Sequence, residues 1–513
     1  HTSVPSSASA WASLGLWTAG LPTGASYGYE DIVPRYCNSA KDWGPLPARP
    51  VGATELIQVQ AFVRHGARVQ GSNKYCWKDS QEKGNFTCQL SYLENSISSE
   101  KPLTPSFRTL YMSGRNSLKG NCATGQLAVD GFEMHQRNGI RLREAYVDRE
   151  GFLPSSLFGL SDVDAVEGFL SLRSTDLART RQSGMALVSG LYGKAELGSL
   201  PYLPLKTMDA GEENMLVNPQ VCPAVVPEGA RYFESLPAAT TRELKGLCTW
   251  LNPKVAKDNQ ACFWWIGHLL DCLMSRICPT VSFSPRNTTV PEIYELSGSA
   301  GLLRRVWSIV DEVHWGYFQA MAKAGAFGAF FAEFYGAALQ AVQPAAVAEA
   351  ARLPKVPKLL LWSGHDTGPM LPMYAALELR SGAPYWPEFA SMLVLELWNT
   401  SQGEVVVRWI SNSAVVAGPM PFSAFSDQVG ALILARAGCH TPDTGAGGDA
   451  SSDEPDPGMT VELSDVAVVE PPRLALLQPA EAAIWALVAS LLALGSVVFF
   501  RVWRQKNRSL SLV

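Results

Sequence analysis

The sequence predicts an α/β fold, a mostly parallel central sheet flanked by helices. Three short apolar runs predict it, each stopping at a polar cluster and each separated from the next by helical patterns. Leu56-Ile57-Gln58-Val59-Gln60-Ala61-Phe62-Val63 stops at Arg64-His65-Gly66. Phe169-Leu170-Ser171-Leu172 stops at Arg173-Ser174-Thr175-Asp176, and Lys358-Leu359-Leu360-Leu361-Trp362 stops at Ser363-Gly364-His365-Asp366. Apolar runs this short suit strands covered on both faces. A chain of 513 residues with 47% hydrophobic and 17% charged residues can bury a large core, which excludes a mostly disordered protein.

Between the runs, Gly131 to Tyr146 carries Phe132, His135, Leu142 and Tyr146 at helical spacing. Leu302 to Ala351 is rich in alanine and reads as two or more helices. Its Phe327, Phe330, Phe331 and Phe334 form an aromatic stripe expected to be core packing. Met392 to Trp398 and Glu404 to Ile410 read as a hairpin joined by Asn399 to Gly403.

The two ends have a different character. Ala482 to Phe500 holds no charge over 19 residues, a helix of roughly 28 Å, and Arg501, Arg504, Lys506 and Arg508 follow it. That pattern predicts a single transmembrane helix at 481–500 with a cytosolic tail at 501–513, so the rest lies outside the cytosol. Residues 441–480 are rich in Pro, Gly, Ser and acidic residues and predict an unfolded acidic stalk. The chain starts with His and has no Lys or Arg before Arg35, as expected of a chain whose signal peptide has been removed; 1–50 is read as an extension of the domain. Sequons at Asn85, Asn287 and Asn399 predict glycosylation. Ten cysteines without paired CxxC spacing predict disulfides rather than zinc. A net charge of -5 with no basic field excludes nucleic acid as the expected partner.

The carboxyl ends of strands form the ligand crevice of open α/β sheets, so the three polar clusters are the candidate site. In Arg64-His65-Gly66-Ala67-Arg68, guanidinium groups bracket a histidine; such groups pair with phosphate oxygens, and a histidine held there is placed to attack phosphorus. Arg173 directly follows the second run and is expected to point into the crevice as a phosphate ligand. Arg179, six residues on, is expected to form an ion pair within the fold. His135 is expected to make a structural contact, and His268, His314 and His440 have no charged constellation beside them. The histidines lack ligand spacing for a metal, and no cofactor is expected.

These segments together resemble the histidine acid phosphatases (histidine phosphatase superfamily, branch 2), and the C-terminal anchor resembles the lysosomal and membrane-bound acid phosphatases in particular. Residues 64–68 resemble the family's Arg-His-Gly-x-Arg-x-Pro signature, with Gln70 in place of the proline. Gly125-Gln126-Leu127 with Gly131, His135, Gly139, Arg141, Arg143 and Tyr146 resembles its first helix. Arg173-Ser174-Thr175-Asp176-Leu177-Ala178-Arg179-Thr180 and His365-Asp366-Thr367 resemble two later elements in the same order. The resemblance covers about 51–440 and implies a smaller, mainly helical cap at roughly 203–300, braced by disulfides. It implies that His65 becomes a phosphohistidine, that Arg64, Arg68, Arg173 and His365 hold the phosphate, and that Asp366 protonates the leaving alcohol, without metal or cofactor. Asp366 must be protonated for that role, which predicts activity under acid conditions.

The expected function is therefore a membrane-anchored acid phosphatase acting on phosphate monoesters, at the cell surface or in an endosomal or lysosomal membrane. The alternative is a weakly active or inactive surface glycoprotein that uses the fold for binding or support. A homodimer or membrane assembly is compatible with either.

Overall fold

The computed structural model describes residues 36–37, 43–71, 76, 86–88, 122–158, 160, 163–200, 202–278, 300–343, 356–379 and 386–440, all in the first of two compact units, His1–Gly445. The expected transmembrane segment, stalk and tail lie outside the described residues, as do Asn85 and Asn287. Among the described residues no helix is long and apolar enough to cross a membrane.

In chain order the elements begin with β1 (Ala53–Arg64), α1 (Val129–Leu142) and a π-helical turn, Arg143–Arg149. Then come α2 (Val163–Glu167), β2 (Leu170–Ser174), α3 (Ala178–Leu197) and β3 (Leu205–Lys206). Helices α4 (Val225–Glu234), α5 (Ala238–Leu251) and α6 (Asn259–Ile277) occupy the region read as a cap, followed by α7 (Ala300–Lys323) and α8 (Gly328–Ala341). The chain returns through β4 (Leu359–Gly364), α9 (Met370–Ala376), β5 (Met392–Thr400), β6 (Val405–Ser411), β7 (Ala414–Pro421) and α10 (Phe422–Leu434).

The sheet runs β3-β2-β4-β1-β5-β6-β7. It is mixed, not mostly parallel as the sequence suggested. From β3 to β1 the neighbours are parallel, because helical crossovers connect those strands; from β1 to β7 they are antiparallel, because β5, β6 and β7 are joined by tight turns. The hairpin expected over 392–410 forms; β7, which extends it, was not anticipated.

Period-two alternation sorts each central strand between two cores. Phe62, Leu360, Trp362, Leu395 and Trp409 face α7, α8 and α10, where the Phe327, Phe330, Phe331 and Phe334 stripe is fully buried. The apolar faces of α4, α5 and α6 join the same buried cluster. Val59, Ala61, Val63, Leu361, Leu172 and Val394 face α1, the π turn and α3. Polar groups inside the sheet are paired. Gln60 donates to the Phe334 carbonyl at 2.9 Å and accepts from the Trp362 indole at 3.2 Å. Glu396 accepts from Tyr146 at 2.7 Å, Trp398 at 2.8 Å and its cross-strand partner Arg408.

All ten cysteines are paired, as Cys37–Cys278, Cys76–Cys272, Cys88–Cys122, Cys222–Cys439 and Cys248–Cys262. Two of these bonds hold the C-terminal end of α6.

Helices α1 and α3 cross closely at two glycines. A Cβ at Gly139 would lie 2.0 Å from the Leu187 carbonyl oxygen, and one at Gly190 would lie 2.0 Å from that of Gln136. Backbone cannot yield as a flexible side chain can. Gly139→Ala is expected to cost about 1–3 kcal/mol by forcing these helices apart, measured as a lower urea midpoint; an unchanged midpoint would refute this tight crossing.

Candidate active site

Parallel pairing of β1 with β4 places Arg64 opposite Gly364, so the residues that follow, His65 and His365-Asp366, leave the sheet side by side. The His65 amide donates to the Gly364 carbonyl at 2.9 Å. Beyond His65 the chain runs against 125–128. The Val69 amide donates to Gln126, the Gly125 amide to Gln70 and the Ala128 amide to Ala67, at 3.1, 2.8 and 2.9 Å. These bonds hold the loop at the position where the resembled signature has proline and this chain has the buried Gln70. Gly66 is required here, since a Cβ would meet the Gly131 carbonyl oxygen at 2.2 Å. From α1, His135 reaches the Arg64 carbonyl with Nε2 at 2.9 Å, the structural contact expected of it.

His65 is buried, with Nδ1 2.9 Å from the Gly66 carbonyl. A carbonyl only accepts, so Nδ1 carries the proton and Nε2 keeps its lone pair. Burial, reinforced by Arg179, Arg68 and Arg64, holds the imidazole well below its usual pKa and therefore neutral. The His365 ring centroid is 5.4 Å away. Its Nε2 lies 3.0 Å from Thr175 Oγ1 and its Nδ1 3.4 Å from Arg179 Nη2. Arginine only donates, so His365 presents the lone pair of Nδ1 to Arg179 and donates from Nε2 to Thr175, which in turn bonds Thr180 at 2.9 Å.

Arg64 is fully buried, its guanidinium 4.2 Å from the Phe389 ring centroid and 4.9 Å from that of Tyr36. It donates to Tyr36 Oη at 2.7 Å and lies 3.1 Å from Asp366 Oδ2. That carboxylate also accepts from the Trp386 indole and, at 2.9 Å, from the Thr367 amide. Burial raises the Asp366 pKa, but Arg64, Trp386 and His365 outweigh it and hold it down at about 2. Asp366 is thus ionised. Arg68 donates from Nη2 to both carboxylate oxygens of Asp271 on α6, at 2.8 and 2.9 Å.

The structure brings His65, Arg64, Arg68, His365 and Asp366 together and leaves Arg173 out. Arg173 pairs in register with Trp362, two positions before the end of β4, and lies on the α8 side of the sheet. Its guanidinium is engaged by Glu213 at 2.9 Å, by the Asn214 side chain at 2.8 Å and by Glu333. Arg179 takes the place expected of Arg173. It is half-buried in the first turn of α3 and forms no ion pair among the described residues, against the structural pair expected of it. Burial and Arg68 lower its pKa to about 9. The clue in the sequence was the short turn Ser174-Thr175-Asp176-Leu177, which starts the helix at the crevice. Asp271, Trp386, Tyr36 and Thr175 were also not anticipated, since nothing local marks them. His268, exposed on α6, feels Asp271, Arg68 and Asp366. His314 is buried core, its ring 4.8 Å from that of Trp386. Asn399 closes β5, partly exposed, 3.2 Å from Glu55.

A strand-end histidine with a free Nε2, three surrounding guanidinium groups and a second histidine next to an aspartate make a site for a tetrahedral oxyanion. Residues 55–251 match the family model of the histidine phosphatase superfamily (branch 2). The chain is 33% identical over 198 residues to Counting factor 60 of Dictyostelium discoideum, covering 37% of this chain and 45% of that protein. The chain thus spans less than half the length of that relative. It is 25% identical over 377 residues to a probable acid phosphatase of Schizosaccharomyces pombe, covering 68% and 74% of the two. Among solved structures it is similar to a multiple inositol polyphosphate phosphatase of Bifidobacterium longum, at 12% identity, TM-score 0.44 and coverage of 74% and 92%. A phytase of Citrobacter braakii gives 14% identity, TM-score 0.40 and coverage of 69% and 85%.

Burial also lowers His135 and His314 to about 4. Their pKa values are depressed in the folded state, so their stability contribution is full above the unfolded value near 6.5 and is lost as pH falls toward about 4. The loss is roughly 3 kcal/mol for each. Urea midpoints between pH 7 and pH 4 are expected to fall accordingly, and His314→Gln to remove its share of that slope. Identical slopes in the two proteins would show that His314 does not titrate as a buried neutral ring.

Proposed function

We propose that this chain is an acid phosphatase that hydrolyses phosphate monoesters through a phosphohistidine. The observation that carries the reading is the half-buried Arg179 beside His65 and His365, which has no ion pair among the described residues. A largely desolvated cation without an ion-pair partner is costly, and a bound phosphate would compensate it. In this mechanism the Nε2 lone pair of His65 attacks phosphorus while the ester P–O bond breaks. Arg64, Arg68 and Arg179 hold the non-bridging oxygens, and His365 steadies Arg179 through Nδ1. Asp366 gives its proton to the departing alcohol, then takes one from the water that attacks the phosphohistidine, and the P–N bond breaks to release phosphate. Asp366 is ionised while Arg64 is its main partner. A phosphate that shares Arg64 brings negative charge beside the carboxylate and raises its pKa, so protonation and activity favour acid pH.

The setting belongs to the same proposal. Five disulfides support an oxidising compartment. The charge-free run Ala482–Phe500 with basic residues after it supports a single-pass anchor that holds the domain on the extracellular or lumenal side, with Asn85, Asn287 and Asn399 as glycan sites.

The test is hydrolysis of a chromogenic phosphomonoester at mildly acid pH. His65→Ala is expected to lose at least about a thousandfold in kcat, since no other nucleophile is at hand. Arg179→Ala is expected to raise KM and the inhibition constant of inorganic phosphate by at least about tenfold, as loss of a charge-assisted contact does. Arg173→Ala is expected to lower thermal stability instead and to leave phosphate inhibition near its original value. Equal rates from the unmodified protein and His65→Ala would reject the hydrolase; stronger phosphate dependence on Arg173 than on Arg179 would reject this ligand set.

A further inference from the structure

We propose that Asp271 sets the substrate class of this site: it admits a single phosphate group on an uncharged leaving group and disfavours polyphosphorylated substrates. This rests on the phosphatase reading. The first observation is the two-oxygen contact of Asp271 with Arg68 Nη2, made by side chains only 14% and 10% exposed. The carboxylate therefore occupies a guanidinium edge inside the anion site. The second is its fixation. Asp271 adjoins Cys272, whose disulfide to Cys76 ties α6 to the chain just beyond the Arg68 loop. The backbone that carries the acid is also held by Cys37–Cys278.

The third observation is charge. Arg64, Arg68 and Arg179 give three positive charges, Asp366 and Asp271 two negative ones, and His65 and His365 are neutral. The net of one positive charge matches a phosphate monoester below its second pKa of about 6, which carries one negative charge. Without Asp271 the site would carry two. A second phosphate that comes near the Asp271 carboxylate is repelled by it.

The experiment compares binding of inorganic phosphate and of non-hydrolysable inositol hexasulfate to the full chain by calorimetry, in the unmodified protein, Asp271→Asn and the charge-retaining Asp271→Glu. Asp271→Asn is expected to tighten inositol hexasulfate by about tenfold or more and inorganic phosphate by less than about threefold, with Asp271→Glu keeping the original ratio. An unchanged ratio in Asp271→Asn would overturn the proposal. So would weakening of both ligands in Asp271→Asn with recovery in Asp271→Glu, which would make Asp271 only a support for Arg68. Failure of the unmodified protein to bind inorganic phosphate would instead overturn the phosphatase reading.

Discussion

The structure depends on one register. Two strands from opposite ends of the domain, β1 and β4, pair in parallel so that Arg64 stands opposite Gly364. Each then contributes a histidine at the next position. Shifting this pairing by one residue would turn Phe62, Trp362 and Val63 toward the wrong cores and separate His65 from the His365-Asp366 pair. The same hydrophobic sorting that stabilises the sheet therefore aligns the reactive side chains, and no separate device is needed to bring them together.

Around that pair, electrostatics decides which groups are charged. Burial, reinforced by the guanidinium groups, keeps both histidines neutral, while Arg64 and Trp386 keep the Asp366 carboxyl ionised. A neutral histidine with Nδ1 fixed by a carbonyl is a ready nucleophile, whereas an ionised aspartate is not a ready acid. The site is complete only when an anion shares the guanidinium charge. In the proposed mechanism ligand binding and proton supply are coupled, because the group that would hold the proton is controlled by the cations that would hold the substrate.

Much of this was legible in the chain. Buried strands that stop at Arg-His-Gly and His-Asp pointed to the crevice, and the family resemblance of those segments supplied the roles of His65, His365, Asp366, Arg64 and Arg68. Parallel order across the whole sheet did not follow. β7, Ala-Val-Val-Ala-Gly-Pro-Met-Pro, carries Gly and Pro and lacks strand alternation, so the antiparallel half of the sheet was underestimated. The exchange of Arg173 for Arg179 has a specific cause. Position at a strand end was read as access to the crevice, but the register leaves Arg173 level with Trp362, while the tight turn into α3 carries Arg179 back to His365. Asp271, 203 residues from Arg68 in sequence, had no local signal at all. Its place is set by packing of α6 and by a disulfide pairing that spacing does not disclose.

The central claim is that His65 carries the phosphoryl group during turnover. Acid-sensitive phosphohistidine can be trapped by quenching the enzyme with a phosphomonoester into alkaline denaturant, followed by peptide mapping. The account predicts phosphate on the peptide that contains His65, formed within a single turnover and lost when excess unlabelled substrate is chased through. Turnover with no labelled histidine at any time, or label on His365 instead, would contradict it.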